Sequence, residues 1–125
     1  MLIFKSRWFS KWASKQGLTD QSLRIALREM ENGLVDADLG GFIYKKRAPF
    51  NGHGKRQGLR TIVAFKSKDK AFFVYGFAKN SRANISTSEL LALKKLAREL
   101  LDYSPTQLHK AINSGSIIEV DSNEK

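Results

Sequence analysis

Three strand-like runs lie between residues 42 and 77, and they constrain the fold more than anything else in the chain. Residues 42–47 make a first candidate strand. Residues 60–66 alternate well enough for a second, and residues 71–77 are apolar enough for a third, central one. A loop over residues 48–59, with Pro49, Gly52, Gly54 and Gly58, separates the first two runs, and residues 67–70 form a four-residue turn before the third. The expectation is an antiparallel meander. Pairing Lys66 with Ala71 across the turn sets Arg60 opposite Phe77.

The same stretch carries the whole charge excess. Residues 42–82 hold eleven of the 22 Lys and Arg residues against one acid, Asp69, while the rest of the chain balances at eleven of each. A net charge of +10 concentrated in one segment points to a polyanion. Nucleic acid is favoured over an anionic membrane surface, because no strongly basic amphipathic helix accompanies the charge.

Helices supply the cover that such a sheet needs. Trp8, Phe9 and Trp12 stand at helical spacing between Ser6 and Lys15, ending near Gly17, and read as packing residues without chemistry. Thr19 is an N-cap for a second helix, with Leu18 and Leu23 as hydrophobic staple. Leu23, Leu27, Met30 and Leu34 form its stripe, with Gly33 as terminator. Residues 35–41 read as a connection. Ser86 and Glu89 form a capping box, stapled by Ile85 and Leu90, for a helix whose stripe is Leu90, Leu93, Ala97 and Leu100. Ser104, Pro105 and Gln107 repeat the device for a short helix ending near Gly115. Residues 117–120 are a candidate edge strand and residues 121–125 a frayed end. The expected class is α+β, with two N-terminal helices packed on the sheet and C-terminal helices after it. The chain reads as a single domain, 1–125, with 103–125 as a C-terminal extension.

Composition narrows the functions. At 125 residues the chain is one domain with a modest core, and the absence of cysteine removes disulfides and thiolate metal sites. The apolar start, residues 1–4, precedes Lys5, Arg7 and Lys11, an order wrong for a signal peptide, and no apolar run reaches membrane-spanning length. A cytoplasmic location is expected, without membrane attachment.

Meander geometry gathers Lys46, Arg47, Lys55, Arg56, Arg60, Lys79 and Arg82 at one end of the sheet and sends Lys66, Lys68 and Lys70 to the other. Seven converging cations repel unless an anion lies between them, and a phosphodiester fits, with Arg supplying a planar fork and Lys a mobile charge. Phe50, Tyr75 and Phe77 are the neighbouring aromatics on which an unstacked base would lie. His53 and His109 have no metal-ligand spacing, and residues 52–55 lack the phosphate-loop pattern. Asp69 sits at the far turn, so no paired carboxylates are expected at the basic end. Chemistry there would fall to Lys, Arg and His53, acting on RNA, whose own 2′-OH attacks the adjacent phosphate once in-line geometry is held and the growing charge is spread. Neither metal nor organic cofactor is expected.

YKKRAPFNGHGKRQGLRTIVAF followed by AFFVYGFAKNSRANI resembles the RelE/HigB-like toxins of bacterial type II toxin–antitoxin modules. The resemblance runs from about Leu2 to Leu101, and AFFVYGFAKN is its most specific run. It implies a small twisted antiparallel sheet with two N-terminal helices on one face, and a ribosome-dependent endoribonuclease that cuts mRNA with basic residues. Carried over by position, Arg60 looks like the arginine that stabilises the transition-state phosphate. Lys46 and Arg47 resemble the basic pair leaving the first long strand, Lys55 the loop lysine, and Lys79 the lysine at the last strand's end. Asn80 stands where RelE has an arginine, with Arg82 displaced by two. Leu59 replaces an aromatic and Gln57 a frequent glycine.

The resemblance therefore implies catalytic roles for Arg60, Lys55, Lys79 and Lys46. RNA contacts fall to Arg47, Arg56, Arg82, His53, Asn80 and Phe50. It also implies a cognate antitoxin, expected to be a helix-turn-helix protein, and the ribosome with its mRNA as partners. The alternatives are a non-catalytic protein on the same scaffold, such as a ParE-like gyrase inhibitor, or a basic RNA-binding module.

Overall fold

The computed structural model describes residues 1–48, 58–66 and 69–120. Strand β1 (Leu2–Ser6) leads into helices α1 (Arg7–Gln16) and α2 (Asp20–Glu31). Strands β2 (Ala37–Gly40), β3 (Ile43–Arg47), β4 (Leu59–Phe65) and β5 (Lys70–Ala78) follow, then helices α3 (Thr87–Leu101) and α4 (Pro105–Asn113) and strand β6 (Ile117–Glu119). The strands form one sheet in the order β2-β3-β4-β5-β1-β6. The fold is α+β, as expected, with a helical layer on each face.

The helix starts follow their local signals. Ser6, Thr19, Ser86 and Ser104 each accept a hydrogen bond from the backbone N–H three residues on, and the last two complete capping boxes with Glu89 and Gln107. Gly17, at φ +78°, closes α1 in the left-handed conformation that a side chain would resist. The stripe of α2 buries Leu23, Leu27 and Met30, but Leu34 is exposed. The helix stops at Glu31, and Gly33 at φ +89° turns the chain away before Leu34 can join the stripe.

Two strands lie where the sequence suggested none. Residues 2–6 enter the sheet between β5 and β6 and run parallel to β5, whereas every other neighbouring pair is antiparallel. The expected sheet was antiparallel throughout. β1 is buried on both faces: Phe4 lies in the core beneath α3 and α4, while Ile3 packs on the core beneath α1 and α2. That two-sided burial leaves an apolar run instead of an alternation, which is why it read as a mere apolar start. The second is β2, at the edge, where only Ala37 and Leu39 are half-buried. The turn from β2 into β3 is tight. Gly40, Gly41 and Phe42 have φ of +85°, +62° and +64°, and Phe42 remains exposed.

The central register is right at the basic end for a partly wrong reason. Arg60 pairs with Phe77 as expected, but it is Phe65, not Lys66, that pairs with Ala71. A β-bulge between Ile62 and Val63 on one strand, and Phe73 and Tyr75 on the other, takes up the extra residue. Phe73 packs beneath α1 and α2, while Phe72, Val74 and Phe77 pack beneath α3. Gly76 is required by close approach: a methyl group there would run into the Trp12 ring.

Candidate nucleic-acid interface

The meander brings the cations of β3, β4 and the end of β5 to one end of the sheet. Arg47 and Arg60 are direct cross-strand partners, and Lys46 pairs with Thr61. The Thr61 hydroxyl donates to the Lys46 carbonyl at 2.9 Å, which ties the two strands at this level. Lys79 follows β5, and its N–H donates to the Gly58 carbonyl at 3.0 Å, bringing the chain before β4 against the end of β5. Gly58 has φ +60°, and a Cβ there would lie 3.1 Å from Lys79 Cβ and 3.6 Å from Arg60 Nη1. Lys79, Gly58 and the Arg60 guanidinium therefore meet. Phe50, His53, Lys55 and Arg56 lie outside the described residues.

Like charges directly opposite one another destabilise a strand pair. Here the chain itself supplies relief. Asp36 is held beside β3 by its N–H, which donates to the Lys45 carbonyl at 2.9 Å, and its carboxylate reaches across β3 to Arg60 Nε at 3.2 Å. Lys46 Nζ is 2.7 Å from Glu29 Oε1 on α2. The expectation that only an external anion separates the cations is thus corrected: Lys46 and Arg60 have carboxylate partners from elements remote in sequence. Both cations are buried, at 6 % and 8 % exposure, whereas Arg47, Lys79 and Asn80 are exposed. Arg60 is the most constrained of them. Its Nε is committed to Asp36, yet its Nη1 is buried and has no hydrogen-bond partner among the described residues. An unmet buried donor is costly, by about 1–3 kcal/mol and more when charged.

Arg82 belongs to a different arrangement. Its Nη1 donates to Glu89 Oε2 at 3.0 Å and its Nη2 to Glu89 Oε1, while Nε donates to the Asn84 carbonyl at 3.0 Å. Glu89 Oε1 also accepts the Ser86 N–H at 2.7 Å, so one carboxylate both caps α3 and clamps the arginine. The Arg82 guanidinium, aided by the Ser86 N–H, holds the Glu89 carboxyl down to about 2. Tyr75 donates to Glu89 Oε2 at 3.2 Å, and burial, followed by the Glu89 charge, pushes its phenol up. Arg82 thus fastens the chain after β5 to the start of α3. Phe77, suggested as a surface for a base, is 4 % exposed and packs in the core with the Arg82 guanidinium 5.9 Å from its ring centre.

At the opposite end, Lys66 lies 5.3 Å from the Phe42 ring centre, and Lys70 opens β5. Among the described residues no group of three or more His, Cys, Asp or Glu side chains gathers as a metal ion would need. None of the helices among them is long and apolar enough to cross a membrane. The acids Glu29, Asp36 and Glu89 were not picked out as site residues from the sequence. Only Glu89 carried a signal, its capping box, and that signal says nothing of Arg82.

A comparison with curated proteins returns no match. The family described as RelE toxin of RelE / RelB toxin-antitoxin system matches residues 1–120. That span runs from β1 through β6 and includes the whole basic end of the sheet. The chain therefore belongs to the RelE toxin family, a toxin of a toxin–antitoxin system whose partner is an antitoxin.

Proposed function

We propose that this toxin is a ribosome-dependent mRNA endoribonuclease working without a metal ion. The RNA 2′-OH attacks the adjacent phosphate in line. The O5′ leaving group departs with a proton, which yields a 2′,3′-cyclic phosphate and a 5′-hydroxyl. The observation that carries this reading is Arg60: buried, oriented through Nε by Asp36, and left with an Nη1 donor that is unmet among the described residues, beside Lys79. A pentacoordinate phosphorane gains more charge than its ground state, so a preorganised guanidinium that need not reorient favours the transition state selectively.

Lys55 is the candidate for the base that takes the 2′-OH proton, because Lys46 Nζ is engaged with Glu29 of α2 and, one residue pair along from Arg60, lies on the other face of the sheet. Lys79, exposed and next to Arg60, serves the leaving oxygen better than Arg82, whose guanidinium is already engaged with Glu89 and Asn84. Arg47, Arg56, His53, Asn80 and Phe50 complete the RNA-contacting set. The setting is the cytoplasm, where the ribosome presents mRNA.

The test is incubation of the protein with programmed ribosomes, followed by mapping and end-analysis of the A-site message. Cleavage with the stated termini is expected, and Arg60→Ala should abolish it while the protein stays folded by far-UV circular dichroism. Intact message at excess wild-type protein overturns the reading. Growth arrest with DNA damage and unbroken message would move the protein to the gyrase-inhibiting alternative.

A further inference from the structure

Helix α1 carries two stripes. Phe9 and Ala13 are buried against the sheet. Beside them Trp8, Lys11, Trp12 and Lys15, at i, i+3, i+4 and i+7, line a groove of about 210 Å³ on the outer side. Trp8 is 48 % exposed. Its ring stacks on Tyr75 of β5, with centroids 4.6 Å apart and planes 18° apart, and lies nearly parallel to Trp12 at 6.2 Å and 10°. Three rings thus stand in a row, with two exposed lysines along them and no acid among the groove's lining residues.

The row lies close to the cationic end of the sheet. Tyr75 packs on the same side of the sheet as Phe77, the partner of Arg60, and Trp8 stacks on Tyr75, while Trp12 lies over Gly76 towards the other face. From Tyr75 to Lys79 is four residues of chain, roughly 13 Å, a distance that a few nucleotides of strand span. An RNA strand held at Arg60 and Lys79 therefore meets the row at Tyr75 and Trp8.

We propose that Trp8, Trp12 and Tyr75, with Lys11 and Lys15, form a second RNA-binding subsite. It holds unstacked bases of the strand that flanks the scissile link. The aromatic faces take the bases whatever their identity, and the lysines follow the phosphates. The inference rests on the ribonuclease reading for the origin of the strand, but its binding test does not require cleavage.

Trp8 and Trp12 are the chain's two tryptophans, so their fluorescence reports the subsite directly. Titration of the full-length protein with a 2′-O-methyl single-stranded oligonucleotide, which cannot be cut, should quench it saturably. Trp8→Leu should weaken binding about tenfold, while Trp8→Phe, which keeps a stacking face, stays within about twofold of wild type. Replacing Lys11 and Lys15 together by Gln should lower the slope of log K against log salt by about 1.4.

Wild-type affinity in Trp8→Leu, with message still cut by the wild type, overturns the subsite and leaves the ribonuclease reading intact. Failure of the wild type to bind the oligonucleotide overturns the subsite, while the ribonuclease reading is overturned only by intact message on programmed ribosomes. Unchanged RNA affinity in Trp8→Leu with weakened antitoxin binding or altered self-association makes the row a protein contact and overturns the proposal.

Discussion

The pair formed by Lys46 and Glu29 lends itself to an unequal test. The lysine side chain is 8 % exposed and the glutamate 41 %, with 2.7 Å between the charged atoms. Removing either partner breaks the same bond, but what remains differs. Glu29→Gln leaves an ammonium group enclosed by protein with only a neutral amide to meet it. A hydrogen bond to a charged group is worth about 1.5–3 kcal/mol, and breaking a fully buried pair costs about 3–5 kcal/mol. Because water reaches the glutamate side, about 2 kcal/mol is expected. Lys46→Met leaves a carboxylate that can hydrate, and its loss is that of a surface pair, about 0–1 kcal/mol, offset by the apolar surface methionine buries. Urea denaturation at neutral pH, followed by far-UV circular dichroism, measures both. At about 4 °C per kcal/mol for a domain of this size, Glu29→Gln should also melt about 8 °C lower than wild type. A Lys46→Met variant as unstable as Glu29→Gln, or more so, would refute the view that this lysine is a constrained charge held in place by one carboxylate.

Two other outcomes are expected. The Glu89 carboxyl is depressed in the folded state to about 2 from an ordinary value near 4.3, so the unfolded chain binds more protons between those values and stability rises with pH there. Its contribution is present in full above about pH 5 and lost as pH falls through that window. Glu89→Gln should therefore be less stable than wild type in urea melts at pH 6 and converge with it near pH 2, and a constant gap across this range would contradict the clamp. Gly58→Ala places a side chain at φ +60°, costing about 1–2 kcal/mol, and pushes a methyl toward Lys79 and Arg60. It should lower the cleavage rate constant by more than its loss of stability explains at temperatures where the variant is fully folded, measured on programmed ribosomes alongside a thermal melt.

Much of this protein was legible because its signals are local. A cap and the amide it satisfies are three residues apart, so Ser6, Thr19, Ser86 and Ser104 announce their helices without knowledge of the rest of the chain. Arg60 came opposite Phe77 only because a bulge made up for a turn register that was one residue out, Phe65 and not Lys66 pairing with Ala71. The bulge beyond Ile62 was not legible, because no local motif marks where a twisted strand admits an extra residue. Neither was the role of Trp8. Its spacing is that of a packing residue, and only the position of Tyr75 shows that its ring is shared with solvent.

The amino-acid order alone settled where helices begin and which stretch holds the excess positive charge, because both depend on neighbours within about one helical turn or on simple counting. Tertiary structure decided which anions those cations meet. Glu29 reaches Lys46 because α2 lies on the face where that lysine emerges, and Asp36 reaches Arg60 because β2 takes the sheet edge next to β3. Such pairings depend on strand order and layer packing, set by burial of the two cores as a whole, and no spacing within a single segment encodes them.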